Sequence, residues 1–176
     1  FSFVILSCAE KEESTTSDVD SWTGTKQIGT GYYDSGTGIA TDSSGNIYVT
    51  GTTFGGLDGN TNAGLGYHND LIGGGDMFLI KYDSSGTKQW TKQLGTSTSD
   101  SGDGVATDSS GNVYVTGNTS EDLDGNTNAG YRDIFVVKYD SSGTKQWTKQ
   151  FGTADNDSAF GVATDSSANV YVTGYT

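Results

Sequence analysis

The segment Thr-Asp-Ser-Ser-Gly-Asn-Ile-Tyr-Val-Thr-Gly at residues 41–51 returns at 107–117 with Val113 for Ile47 and at 164–174 with Val170 for Ile47 and Ala168 in place of its first glycine. A second segment, Lys-Tyr-Asp-Ser-Ser-Gly-Thr-Lys-Gln-Trp-Thr-Lys-Gln at 81–93, returns unchanged at 138–150. Copies of one unit at a fixed spacing restrict a chain to architectures in which each unit covers the faces of its neighbours. The spacing is 57 residues for the second segment and for the later pair of the first, but 66 for the earlier pair. The surplus lies at residues 65–75, which stand where the next copy has only Tyr131 and Arg132. That insertion falls in a loop, where added length is tolerated.

Each unit reads as four strands. In the second copy these are a small-residue strand at 104–107, an apolar one at 113–116, a longer apolar one at 134–137 and a mixed one around Trp147. Asp108 and Asp140 open tight hairpins in which the aspartate accepts bonds from turn amides and a glycine supplies positive φ. Ala168 occupies that glycine position in the third copy and is strained there if the turn needs positive φ. Residues 134–137 are apolar without alternation, as a strand covered on both faces is. The composition agrees, with 27 glycines, no proline and many threonines and serines. These residues favour short strands and turns over helices.

The segments Gly-Val-Ala-Thr-Asp-Ser-Ser-Gly-Asn-Val-Tyr-Val-Thr-Gly and Asp-Ile-Phe-Val-Val-Lys-Tyr-Asp-Ser-Ser-Gly resemble the bacterial seven-bladed β-propeller repeat called SBBP, over residues 22–176. The resemblance implies an all-β chain of four-stranded antiparallel blades, and it brings no general activity or catalytic residues with it. One strand around Trp22, two full units and two strands of a last one make an incomplete array of two full and two partial blades. The expectation is therefore the N-terminal part of a longer protein.

The start of the chain reads differently. Residues 1–6 are almost wholly apolar and run into Ser7 and Cys8. The run is too short to span a bilayer but matches the end of an export signal. Val4 to Cys8 resembles a bacterial lipoprotein box, which implies cleavage before Cys8 and a lipid on its thiol. The domain reading is then a truncated signal at 1–8, an acidic tether at 9–20 and the repeat array at 21–176. The implied location is the cell envelope or surface, with membrane contact only through the anchor.

A formal charge of −13 repels phosphate backbones, so nucleic acid is not an expected partner. Trp22, Trp90 and Trp147 are read as packing. His68 is the only histidine, which leaves a histidine-based triad or metal cluster without a second member. Asp100 with Asp103 and Asp155 with Asp157 could be imagined as acid and base, but they read more simply as solvated loop residues. Asp122, Asp124, Asn126 and Asn128 place oxygens at alternate positions around a glycine, as a calcium loop does. The earlier copy offers only Asp58, Asn60 and Asn62, because Gly56 replaces the first carboxylate. Calcium is the one cofactor considered. Tyr67, His68, Asn69 and Asp70, in the insertion, are the candidate binding loop.

The function expected is that of a non-catalytic, exported lipoprotein propeller that displays loops to a protein or glycan. The alternatives are part of a glycan-active enzyme whose site lies in further blades, or a structural spacer. The isolated chain is expected to self-associate through unpaired strand edges.

Overall fold

The structure is a computed structural model; it describes the backbone of residues 3–6 and residues 25–64 and 74–176 in full. Cys8, Trp22, and Tyr67, His68, Asn69 and Asp70 of the insertion lie outside the described residues. Among the described residues there are twelve strands: β1 (Phe3–Leu6), β2 (Thr25–Ile28), β3 (Asp34–Thr41), β4 (Ile47–Thr53), β5 (Asp76–Tyr82), β6 (Lys88–Leu94), β7 (Asp100–Thr107), β8 (Val113–Thr119), β9 (Asp133–Tyr139), β10 (Lys145–Phe151), β11 (Ser158–Thr164) and β12 (Val170–Tyr175).

They form two complete antiparallel sheets in meander order, β3-β4-β5-β6 and β7-β8-β9-β10, together with the pairs β1-β2 and β11-β12. The two sheets are the expected full blades. The strand expected around Trp22 is β2, a little further along the chain. Its partner β1, with Phe3 opposite Ile28, is one that the sequence reading did not identify.

The third strand of each blade forms the core. In β9, Ile134, Phe135, Val136 and Val137 are all at or below 5% exposed, as the unbroken apolar run predicts. Strand β5 is buried in the same way through Met77, Phe78, Leu79 and Ile80. One core cluster joins the two blades, bringing Tyr48, Met77 and Leu79 of the first to Val105, Val115 and Val137 of the second.

The first strands of successive blades lie side by side, and small residues make this possible. A Cβ added to Gly104 would lie 3.0 Å from Gly161 Cα, and one added to Gly38 would lie 3.3 Å from Gly104 Cα. Side-chain hydroxyls link these inner strands. Thr107 Oγ1 donates to the Thr41 carbonyl at 2.9 Å, and Thr164 Oγ1 donates to the Thr107 carbonyl at 2.7 Å.

The hairpins between first and second strands follow one plan. Asp108 Oδ1 accepts the amides of Ser110 and Asn112 at 2.9 and 3.0 Å, while Oδ2 accepts from Asn112 Nδ2 and the Tyr114 hydroxyl. Asp42 and Asp165 do the same in their own copies. The side chain and amide of Asn169 hold the Asp165 carboxyl down at about 2. Gly45 and Gly111 sit at φ 77° and 76°, and Ala168 is forced to φ 61°. The third hairpin therefore carries the backbone strain that its alanine foretold.

Candidate functional site

The loop between the second and third strands of each blade is pinned by a repeated glutamine. Gln150 Oε1 accepts the Leu123 amide at 2.9 Å, and its Nε2 donates to the Glu121 carbonyl and to Asp133 Oδ2, both at 3.1 Å. Gln93 repeats these bonds with Leu57, Gly55 and Asp76. Leu57 and Leu123, each 1% exposed, anchor the two loops in the core.

This framework fixes the residues proposed for calcium. Asp124, at φ 55°, pairs with Lys145 through one oxygen and accepts from Thr148 Oγ1 at 2.6 Å through the other. Asp58, at φ 52°, pairs with Lys88 and accepts from Thr91 in the same manner. Asp122 Oδ1 caps the Asn128 amide at 2.7 Å, and Asn128 Oδ1 accepts the Gly130 amide at 2.8 Å. Asn126 and Asn60 spend their side-chain amides on the carbonyls of Leu123 and Leu57. Asn62 Oδ1 accepts from the Gly64 amide. Both oxygens of Asp124 and of Asp58, and Oδ1 of Asp122, Asn128 and Asn62, therefore face internal donors. Both copies behave alike despite Gly56, because Asp58 and Asp124 serve to tie the loop to the fourth strand.

Among the paired acids, only Asp155 is the exposed loop residue expected. Asp100 and Asp157 are 0% exposed, because each stands at the start of a first strand and folds back onto its own turn. Thr96 donates amide and hydroxyl to Asp100 Oδ2 at 2.6 and 2.9 Å, and the Thr153 amide donates to Asp157 Oδ2 at 2.7 Å.

Asp103 is different again. The first strand breaks register in every copy, between Gly36 and Gly38, between Gly102 and Gly104, and between Ala159 and Gly161. The extra residue at each bulge is Thr37, Asp103 or Phe160. A bulge re-aims a side chain out of the sheet pattern. Here it falls on a position where the copies differ inside an otherwise similar strand. Burial pushes the Asp103 carboxyl up to about 6, against the favourable influence of Ser101 and of the charge on Arg132. Asn118 Nδ2 donates to its Oδ2 at 2.5 Å.

Beside these bulges a cavity of about 320 Å³ opens between the first and second blades. Its lining includes Tyr33, Phe54, Thr37, Ser101, Asn118 and Arg132, the sole arginine of the chain. Tyr33 and Phe54 meet edge to face, with ring centroids 6.0 Å apart. The site thus combines an aromatic wall, hydroxyl and amide groups, and one guanidinium. It lies where first strands begin and second strands end. Arg132 occupies the loop position that Gly75 takes at the end of the insertion: the Arg132 carbonyl accepts the Asp157 amide, as the Gly75 carbonyl accepts that of Asp100. The sequence reading passed over this site. The signal was Thr, Asp and Phe alternating at one position of a repeated strand.

Trp90 and Trp147 pack as expected, 6.0 and 6.1 Å from Tyr48 and Tyr114. Trp90 is further covered by the next blade, since a Cβ added to Gly143 would lie 3.0 Å from its ring.

Four-stranded meanders packed through their first strands, with loops gathered around an inter-blade cavity, are the blades of a β-propeller. The model of the β-propeller repeat SBBP matches residues 24–58, 89–124 and 146–176, and the chain belongs to that family. It is 30% identical over 142 residues to a protein named Regulatory protein FlaEY from Caulobacter vibrioides, covering 76% of this chain and 15% of that protein. It is 28% identical over 117 residues to an uncharacterized WD repeat-containing protein, L264, of Acanthamoeba polyphaga mimivirus, covering 57% of this chain and 8% of that protein. The chain therefore spans a small part of the length of these relatives.

Proposed function

We propose that this chain is a non-catalytic interaction scaffold that holds a protein or glycan ligand at the cavity between its first two blades. The observation that carries this reading is the cavity itself. Three bonded or packed elements, the Tyr33–Phe54 pair, Asn118 and Arg132, are fixed by different strands and loops around one opening. Aromatic faces with planar polar groups suit the C–H and hydroxyl faces of a sugar or an amphipathic peptide side chain. The regulatory name of one relative is compatible with a binding role and says nothing of the ligand.

The wider reading is an exported lipoprotein, anchored through Cys8 and standing off the membrane on its acidic tether. The apolar run before Cys8 supports it. Expression of the gene in a bacterial host with labelled fatty acid tests it: label on the wild type and none on Cys8→Ser is the expected result, and an unlabelled wild type ends the idea. For the ligand, the protein is screened against a glycan array and an envelope extract beside Arg132→Gln and Tyr33→Ala. Hits that both substitutions abolish support the cavity; hits that both retain place the ligand elsewhere.

A second reading, a glycan-active enzyme, draws on the raised carboxyl of Asp103. Hydrolysis by paired acids needs two carboxyl groups facing one bond. The described lining of the cavity contains no carboxylate, and Asp103 reaches it only through Ser101 and Asn118. The scaffold is the reading the geometry favours.

A further inference from the structure

Where one blade meets the next, two carboxylates from different blades face each other away from solvent. At the first junction they are Asp76, which opens β5, and Asp100, which opens β7; at the second they are Asp133, which opens β9, and Asp157, which immediately precedes β11. None of the four is more than 1% exposed. Each is held by its Oδ2 atom. Asp76 Oδ2 accepts from the Ala63 amide and Gln93, Asp133 Oδ2 from the Ala129 amide and Gln150, and Asp100 and Asp157 from the threonines of their own turns.

The other oxygens are the anomaly. Oδ1 of Asp76 and of Asp133 is buried without a hydrogen-bond donor, and Oδ1 of Asp100 makes no hydrogen bond of normal geometry although the Thr119 hydroxyl acts on that carboxyl. The glycine at the second junction shows how close that pair stands. A Cβ added to Gly152 would lie 2.4 Å from Asp133 Oδ1 and 2.7 Å from Asp157 Oδ2, and one added to Gly95 would lie 2.2 Å from Asp76 Oδ1. At the first junction the charge of Asp76 acts directly on Asp100.

A buried carboxylate oxygen without a partner is costly, and two facing carboxylates add mutual repulsion. One such atom would be an oddity. The arrangement recurs at both junctions, so the repeat builds it. Burial pushes the carboxyls of Asp76 and Asp100 above the usual range against their Oδ2 donors, so holding both acids ionised calls for a positive partner between the blades. Further oxygens stand close by. Thr96 Oγ1, bonded to Asp100, lies 3.2 Å from Thr98 Oγ1, and the Gly75 carbonyl accepts the Asp100 amide.

We propose that each blade junction binds one divalent cation of the calcium class between its facing carboxylates, Asp76 with Asp100 and Asp133 with Asp157. One divalent ion balances two carboxylates. An all-oxygen environment of carboxylate, hydroxyl and carbonyl groups suits calcium better than the nitrogen- and sulfur-seeking metals. The ligands come from successive blades, so the ion fastens one blade to the next. The site is separate from the loop at Asp122 to Asn128, where Lys145 and Thr148 engage both oxygens of Asp124.

The experiment is equilibrium dialysis of the chain against radioactive calcium, joined to thermal melts in chelator and in millimolar calcium. Two carboxylates make a weak site, with Kd of about 10⁻⁴ to 10⁻³ M. The expected result is one ion per junction and a melting point several degrees higher in calcium. Asp76→Asn and Asp133→Asn should each remove one bound ion. Because the repulsion is gone, each should melt in chelator at or above the wild type, which keeps the test clear of simple misfolding. Asp124→Asn should leave both ions in place. The proposal is overturned if no calcium binds, or if binding survives Asp76→Asn and Asp133→Asn but not Asp124→Asn. It is equally overturned if stability responds only to acidification, for then a shared proton joins each pair.

Discussion

Residues 113–117 and 170–174 are the same five residues, Val-Tyr-Val-Thr-Gly, and they live in opposite surroundings. In β8 every residue is buried, and Tyr114 is 2% exposed. In β12 the burial is lost, and Tyr171 is 57% exposed. Local structure is identical, down to the tyrosine hydroxyl 3.0 Å from the turn aspartate in both. The neighbours differ. β8 lies between β7 and β9, whereas among the described residues β12 pairs with β11 alone. The repeat therefore dictates strand and hairpin by itself, while the packing energy comes only with the following strands and the adjoining blade.

The sharpest way to break this comparison is to cut the same methyl groups from both strands. Val115→Ala, at a fully buried site, should lower stability by about 2 kcal/mol through lost burial and an unfilled cavity. Val172→Ala should cost only a few tenths of that amount. Urea unfolding of both variants measures the difference. Equal losses would mean that β12 is covered in solution by another strand.

The two hairpins offer a second test with opposite signs. Gly111→Ala places a side chain at φ 76° and should cost about 1 kcal/mol, whereas Ala168→Gly relieves φ 61° and should gain about 1 kcal/mol, less the added freedom of the unfolded chain. Thermal melts decide it, and destabilisation by Ala168→Gly would show that the alanine hairpin is relaxed.

The smallest effect concerns the bulge, where the copies differ by design. Burial raises the Asp103 carboxyl to about 6, above its unfolded value. A raised acid contributes most below the unfolded value and loses that contribution as pH climbs through the folded one. Asp103→Asn should therefore leave stability unchanged near pH 4 and raise it at pH 7. The gain should be under about 1 kcal/mol, since a partly exposed group realises less than the ~1.4 kcal/mol of each pK unit. A gain of the same size at both pH values would mean that charge is not the cause.

These comparisons also mark what the sequence could convey. The strands at 104–107, 113–116 and 134–137 and the two hairpins were legible because apolar runs and Asp-to-Gly turns act over a few residues. The role of Gln93 and Gln150 was not, since their partners lie in a loop more than twenty residues upstream. The burial of Asp100 and Asp157 was hidden for a related reason. A carboxylate before a small-residue strand looks solvated until it packs against the preceding blade. The calcium reading of residues 122–128 relied on spacing alone, and spacing does not show that Lys145 claims Asp124. The cavity was least legible of all, because Tyr33, Asn118 and Arg132 come from two blades, two connections and one strand.

At the hairpin ends of the inner strands the threonine hydroxyls point one way along the chain, while at the bulge Thr37 donates forward to the Gly102 carbonyl. Thr107 donates to Thr41 and Thr164 to Thr107, each from the later blade to the earlier. That hairpin-end contact is thus vectorial. A newly synthesised first strand can hook onto a blade already complete as soon as it leaves the ribosome, before its own second, third and fourth strands exist. Assembly in the order of translation needs no strand to wait for a distant partner, and each finished blade becomes the template on which its successor starts.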